Sequence, residues 1–183
     1  NYVATIMSSR GCPYECMFCY SPQKIYRARS AKSILKEIKY IVNLGFNEIF
    51  FFDELFNITP ERVIEIAKAI ISENLDIVWS FRGRVDNITE EMLEFSKKSG
   101  CSRIHFGVET GSNAFLDILN KKTNIDQIKN AVGLAQKHKI ITVGSFMIGL
   151  PQESREHILQ TFEFARRIRL DYVEIGILVP YPH

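Results

Sequence analysis

Apolar residues recur along the chain with two alternating periods, and this alternation predicts the fold class. Short runs such as residues 48–52 have the length and composition of buried strands, whereas 30–44 carries apolar residues at helical spacing. From the second strand onward, the centres of the predicted strands lie about 27 to 38 residues apart. This is the length of a strand-helix unit, so the pattern predicts a parallel α/β sheet covered by helices.

The individual elements follow from the same pattern and from helix-capping signals. A proline at the first helical position after Thr59, and a glycine at position 45, mark a helix start and a helix stop. Strands are predicted at residues 2–7, 48–52, 76–81, 103–108, 140–148 and 172–178, and helices over 30–44 and from near Thr59, Thr89, Asn124 and Ser154. An open doubly wound sheet and a curved barrel both fit this order.

Composition and charge narrow the class of protein. The 183 residues are 46% hydrophobic, which is enough for one domain with its own core. The net charge of +2 is too small to signal general binding to nucleic acid or to anionic membranes. No apolar run approaches the ~20 residues of a membrane span, and the first residues lack the features of a signal peptide. With four cysteines, three of them clustered, we expect a cytoplasmic protein.

Three cysteines lie in one loop after the first strand. Cys12, Cys16 and Cys19 have the spacing C-x3-C-x2-C, and thiolates this close together indicate a metal centre. A closed structural zinc site needs four protein ligands, and the remaining cysteine, Cys101, is far away along the chain. An iron–sulfur cluster held by three thiolates leaves one iron open to a small molecule.

This spacing, with an aromatic Phe18 before the last cysteine, resembles the radical S-adenosylmethionine (SAM) enzymes. The resemblance implies a 4Fe-4S cluster on Cys12, Cys16 and Cys19, and SAM chelated to the fourth iron. It further implies reductive cleavage of SAM to a 5'-deoxyadenosyl radical that abstracts hydrogen from a substrate. The implied fold is a partial (β/α)6 TIM-like barrel with a parallel sheet. Residues 1–183 are then expected to be a core domain excised from a longer chain.

Because the working face of parallel α/β folds lies at the carboxyl ends of the strands, these ends provide candidate site residues. After the second strand, Asp53 or Glu54 is expected to bind the SAM ammonium group. After the third strand, Arg82 or Arg84 could fork onto the SAM carboxylate, with Ser80 on the same side as Arg82.

The later strands supply further candidates, several of them through the resemblance. Glu109, in the sequence Gly-Val-Glu-Thr-Gly, is expected to contact the ribose hydroxyls. The resemblance implies that Met147 or Ile148 packs on adenine and that the backbone at Leu178 binds the adenine edge. It also implies cofactor contacts for Phe18 and Tyr20, which flank Cys19.

Other residues are expected to have no role in the chemistry. Cys101 precedes its strand, so it should lie at the end of the sheet opposite the cysteine loop, as a buried and inert thiol. His105 lies in the middle of a strand and is expected to be a core residue, while His138 and His157 fall on helices. His183 is the last residue and receives no role.

Within the resembling family, the stretches 107–111 and 149–151 are most similar to cobalamin-dependent members and to methylthiotransferases. We therefore expect a cobalamin-dependent methyltransferase or related enzyme, with cobalamin held by a domain outside this chain. The alternatives are a methylthiotransferase acting on tRNA or protein, and a non-catalytic iron–sulfur or zinc protein. Expected partners are an unidentified substrate and a one-electron reductant such as flavodoxin or ferredoxin.

Overall fold

The structure is a computed structural model that describes residues 3–20 and 24–179. In chain order its elements are β1 (Val3–Ile6), β2 (Ser9–Arg10), β3 (Arg27–Ala28), α1 (Ala31–Asn43), β4 (Glu48–Phe51), α2 (Pro60–Ser72), β5 (Val78–Gly83), α3 (Glu90–Lys98), β6 (Cys101–Glu109), α4 (Asn113–Ile118), α5 (Ile125–Lys137), β7 (Ile141–Ile148), α6 (Arg155–Arg167) and β8 (Tyr172–Ile177), with a 3-10 turn at Val85–Asn87.

Six strands form one parallel sheet in the order β1-β4-β5-β6-β7-β8. Each strand therefore pairs with the next one along the chain, as expected for successive strand-helix units. The predicted α/β fold with a parallel sheet is confirmed. None of the described helices has the length and apolarity needed to cross a membrane.

The predicted helix starts are confirmed, because each predicted helix is capped by the residue that the sequence indicated. The side chain of the residue before each of these helices accepts a hydrogen bond from a backbone N–H in the first turn, which is worth ~1 kcal/mol per helix. The capping residues are Ser30, Thr59, Thr89, Asn124 and Ser154.

The two faces of the sheet differ in composition. On β4 to β6 one face, which we call the helix-covered face, is apolar and fully buried against the helices; it includes Ile49, Phe51, Trp79, Phe81, Ile104 and Phe106. The other, which we call the open face, carries polar side chains that are half-buried or exposed, among them Ser80, Arg82, Arg103, His105 and Ser145. Burial of the first face supplies the stabilising free energy of the fold, since each large apolar side chain contributes about 1.5 to 3 kcal/mol.

Several boundaries differ from the predictions. Strand β5 begins at Val78 rather than at residue 76, because Ile77 is buried but lies before the paired part of the strand. Strand β6 is longer than predicted at both ends. Helix α4 and the antiparallel pair β2–β3 were not predicted, since each is too short to show a period. Position 2 of the predicted first strand and the position of His183 lie outside the described residues.

Candidate metal and cofactor site

The carboxyl ends of β4 to β7 border a cavity of about 180 Å³. Its lining includes three of the residues predicted from strand ends, and the full set is Glu54, Leu55, Arg82, Gly83, Arg84, His105, Phe106, Gly107, Lys121 and Ser145. A larger groove of about 640 Å³ lies between α5 and α6, but none of the predicted site residues lines it. The site is therefore identified by its chemistry and not by volume.

The cysteine loop connects β2 to β3 beside this cavity. Gly11, buried at the start of the loop, has a φ of 83°, a conformation that favours glycine. The backbone N–H of Met17 donates to the carbonyl of Leu119 over 3.0 Å, and the Asn120 side chain donates to the carbonyl of Glu15 over 2.9 Å. These bonds attach the middle of the loop to the segment that follows α4.

The three loop cysteines are free thiols that interact electrostatically. Burial raises the pKa of Cys19, and the neighbouring Cys16 and Cys12 raise it further, whereas Lys24 and Lys121 act in the opposite direction. Among the described residues, no three Cys, His, Asp or Glu side chains are already arranged as a metal-ion site. As a donor set, three soft sulfurs on one loop with cationic neighbours fit an iron–sulfur cluster.

Asp53 and Glu54 are neighbours in sequence but differ completely in environment. The Asp53 carboxylate is buried and accepts hydrogen bonds from the Ser8 N–H at 2.7 Å and from the hydroxyls of Ser8 and Ser9 at 2.5 Å each. It therefore ties the end of β4 to the segment leading into the cysteine loop. Glu54 is exposed and lines the cavity, which makes it the better placed of the two for a ligand.

Arg82 and Arg84 show the same contrast. The Arg84 guanidinium is buried, makes a two-point contact with Asp86 at 2.9 and 2.8 Å, and donates to the Lys121 carbonyl at 2.7 Å. It also lies 3.7 Å from the centre of the Tyr14 ring, so it supports the cysteine loop. The Asp86 carboxylate raises the pKa of Arg84 against the opposing effect of burial, which lowers it. Arg82 is exposed on the open face, over the rings of Phe52 and Phe50 at 5.1 and 5.6 Å.

Glu109 ends β6 with a φ of 70° and forms a buried ion pair with Lys121, with 2.5 Å between the carboxylate oxygen Oε1 and Nζ. The pair lies against Gly107, where a Cβ atom would come within 2.4 Å of Glu109 Oε1 and 2.8 Å of Lys121 Nζ. A larger residue at this position would require the ends of the Glu109 and Lys121 side chains to move. Lys121 Nζ is also 5.4 Å from the centre of the Phe18 ring, so it joins the end of β6 to the cysteine loop.

Sequence reasoning missed Lys121. Its only signal is a pair of lysines that follows Asn120 after a short apolar segment, and nothing in that pair separates Lys121 from Lys122. In the structure Lys121 is buried, whereas Lys122 is exposed.

An apolar patch lies beside the cysteine loop. It is formed by Phe115, Leu119 and Leu150, with Phe18, Met147 and Leu178 packed against it. Three residues predicted for cofactor contacts thus lie together, whereas Ile148 is outside this patch. The Leu178 N–H donates to the Ile148 carbonyl at 2.9 Å, so the sheet already uses this donor.

The remaining candidates have less specific surroundings. Tyr20 is exposed at the end of the first described segment, and Ser80 is half-buried on the same face as Arg82. Cys101 begins β6 and Glu109 ends it, so Cys101 lies at the opposite end of the sheet from the site, as predicted. Burial raises the pKa of Cys101 to about 12, which makes this thiol unreactive near neutral pH.

The histidines differ in one respect from expectation. His157 caps α6 by accepting from the Ser154 N–H, and His138 is the capping residue at the end of α5. His105 is not a core residue, because alternation along β6 directs it to the open face, where it lines the cavity.

Comparisons with known proteins agree with this geometry. The Radical SAM superfamily model matches residues 6–165. An uncharacterized methyltransferase of Pyrococcus horikoshii is 35% identical over 97% of this chain, which covers 39% of that protein. The anaerobic magnesium-protoporphyrin IX monomethyl ester cyclase of Rubrivivax gelatinosus is 31% identical over 95% of this chain, which covers 32% of it. The chain thus spans about a third of the length of these relatives.

Among solved structures, the radical SAM methyltransferase TsrM from Kitasatospora setae, with cobalamin and a [4Fe-4S] cluster bound, superposes with a TM-score of 0.89. It is 16% identical in sequence, and the match covers 96% of this chain and 34% of TsrM. The likeness confirms the predicted partial (β/α)6 barrel fold. The chain belongs to the radical SAM superfamily.

Proposed function

We propose that this chain is the catalytic core of a radical SAM enzyme and that Cys12, Cys16 and Cys19 hold its 4Fe-4S cluster. The observation that carries this proposal is the set of three free, interacting thiols on one loop beside the cavity. When bound, the cluster and SAM supply one-electron chemistry: reductive cleavage of SAM to an adenosyl radical that abstracts hydrogen from a substrate. The protein residues bind and orient these groups and exclude water.

The structure supports a division of roles within the proposed SAM site. Glu54 and Arg82 line the cavity with opposite charges, so they suit the ammonium and the carboxylate of a methionine moiety. Glu109 uses Oε1 to accept from Lys121, and we assign Oε2 to the ribose hydroxyls. Phe18, Met147 and Leu178 provide the apolar surface for adenine. Asp53 and Arg84 have no ligand in this assignment. They hold the segments around the site in place through hydrogen bonds to other parts of the protein.

For the full-length protein we propose a cobalamin-dependent methyltransferase or related enzyme, with the cobalamin bound by a domain outside residues 1–183. The support is the sequence at 107–111 and 149–151, together with the relatives named above. A small one-electron carrier such as flavodoxin or ferredoxin would reduce the cluster. Four cysteines, all free in the structure, are consistent with a reducing cytoplasm.

Anaerobic reconstitution of the full-length protein tests the proposed cluster. We expect about four irons and four sulfides at this site per chain. Cys16→Ala should lose them and Cys101→Ala, the matched control at the other end of β6, should retain them. Stable binding of zinc without uptake of iron would contradict the proposal.

The proposal of a cobalamin-dependent methyltransferase is tested separately. The measurements are the cobalt content and visible spectrum of the full-length protein, and methyl transfer from labelled SAM. One cobalt per chain and transfer of the label support the methyltransferase. A protein without cobalt that contains a second cysteine-bound cluster would favour a methylthiotransferase.

A further inference from the structure

The open face of the sheet carries a row of polar and basic side chains on β5 and β6, which we call the cationic strip. The proposed cofactor site uses only some of these side chains. Ser80 pairs with Arg103, and Arg82 pairs with His105, across the β5–β6 ladder. Because alternate residues share a face, these four side chains lie side by side beneath the proposed SAM site. Arg82 is assigned to SAM above, which leaves Arg103 and His105 without a function.

Arg103 has an unusual environment for an arginine on a strand. Its Nε atom is fully buried and has no hydrogen-bond partner in the part of the chain that the structure describes. A buried donor without a partner is unfavourable, so such groups in native proteins usually meet a ligand or an ordered water. Burial lowers the pKa of His105; the Glu174 carboxylate acts in the opposite direction, and the Arg103 and Arg82 charges add to the lowering. His105 is therefore neutral near pH 7 and can donate one hydrogen bond.

Apolar side chains surround this strip. Phe50, on β4 and therefore two strands away from β6, contacts the His105 ring edge-on across β5, with 5.7 Å between the ring centres. Met7, Phe52, Val78 and Tyr172, which alternation and register place on the same face, are each at least 41% exposed. Exposed apolar groups collected on one face of a sheet often mark a binding surface.

Two acidic residues, Glu174 and Glu48, share this face, and an ion pair between either of them and Arg103 would leave no charge for an anionic ligand. Glu174 is two strands away from β6, on β8, where its carboxylate accepts from the Ser145 hydroxyl at 3.0 Å. Glu48 is at the start of β4, and its register partner on β5 is Val78. Neither acid forms an ion pair with Arg103 within the described residues, so Arg103 is left to an external anion.

We propose that the open face binds the substrate, that this substrate has an apolar ring body and a carboxylate, and that Arg103 and His105 receive the carboxylate. The inference rests on the proposed function, since it names the class of substrate for the same reaction. The guanidinium offers a planar set of donors that match a carboxylate, while the exposed Phe52 and Tyr172 offer ring surface for the body. Binding would orient the substrate below SAM.

The test measures binding of 1-pyrenebutyric acid and of its methyl ester, by pyrene fluorescence anisotropy, to the full-length reconstituted protein with SAM. The two probes share a ring body and differ in the carboxylate alone. We expect the acid to bind about 10-fold more tightly than the ester and Arg103→Met to abolish this difference. Arg103→Lys should preserve part of it, because it retains the charge.

Arg167→Met is the matched control, since Arg167 is exposed on α6 and pairs there with Glu163. This variant should bind both probes as the parent does. Equal binding of acid and ester by the parent, no binding of either probe, or an unchanged acid preference in folded Arg103→Met would overturn the inference. Thermal unfolding of each variant establishes that it is folded. Iron content and SAM cleavage, measured on the same samples, report separately on the proposed function.

Discussion

Three pairs of like-charged residues close in sequence each contribute at least one member to the lining of the cavity, and the members of each pair have opposite environments. Asp53, Arg84 and Lys121 are buried and bonded to other parts of the chain, whereas Glu54, Arg82 and Lys122 are exposed. The buried Asp53 connects β4 to the segment that leads into the cysteine loop, and Arg84 and Lys121 contact the loop itself. The comparison shows that charge and position at a strand end do not by themselves identify a ligand-binding residue.

The largest difference is expected within the lysine pair. Lys121→Met leaves the buried Glu109 carboxylate without its partner, and this should lower the free energy of unfolding by about 3 to 5 kcal/mol. Lys122→Met, at the neighbouring exposed position, should change it by less than about 0.5 kcal/mol. Urea denaturation of the two variants measures both values.

A second variant isolates the ion pair. Glu109→Gln combined with Lys121→Met removes both charges, so the double variant should be more stable than the sum of the two single effects predicts. Equal stability of Lys121→Met and Lys122→Met would show that the buried pair does not hold the rim together.

The acidic pair should separate stability from SAM binding. Asp53→Ala removes the acceptor of three hydrogen bonds from Ser8 and Ser9 and should cost about 3 kcal/mol of stability. Glu54→Ala should leave the stability unchanged but weaken SAM binding by about 10- to 150-fold, the equivalent of a lost charge-assisted hydrogen bond. Calorimetric titration of SAM into the reconstituted protein measures the SAM affinity of this variant. Parental SAM affinity in Glu54→Ala would assign the ammonium group to another residue.

In the arginine pair we again expect one variant to lose stability and the other to lose SAM affinity, with a smaller loss of stability than in the acidic pair. Arg84→Met loses the contacts with Asp86, the Lys121 carbonyl and the Tyr14 ring, and it should lower stability by about 2 kcal/mol. Because Tyr14 belongs to the cysteine loop, the loop thiols of the metal-free variant should also alkylate faster with iodoacetamide. Arg82→Met should keep parental stability and alkylation rates while binding SAM more weakly. If Arg84→Met alone weakened SAM binding, Arg84 and not Arg82 would be assigned to the SAM carboxylate.

Much of the site was accessible from sequence because local patterns encode local structure. The spacing of Cys12, Cys16 and Cys19 pointed to the loop, and the strand ends pointed to Glu54, Arg82 and Arg84, which line the cavity. Their contacts with SAM remain predictions. Met147 and Leu178 lie beside Phe18 in the apolar patch. By contrast, His105 was assigned to the core, because a single histidine within an apolar strand does not reveal that its face of the sheet is open.

The sequence by itself determined the order of strands and helices, their caps, and the positions of the loop and of the strand ends. These follow from periodicity and from side-chain bonds within a few residues. The tertiary structure alone decided which member of each charged pair is buried, and it revealed Lys121 and the open face around Arg103. Those outcomes depend on contacts such as Ser8 with Asp53, 45 residues apart, and Arg84 with Lys121, 37 apart. Such contacts exist only after the sheet brings the strand ends together, so no local pattern can encode them.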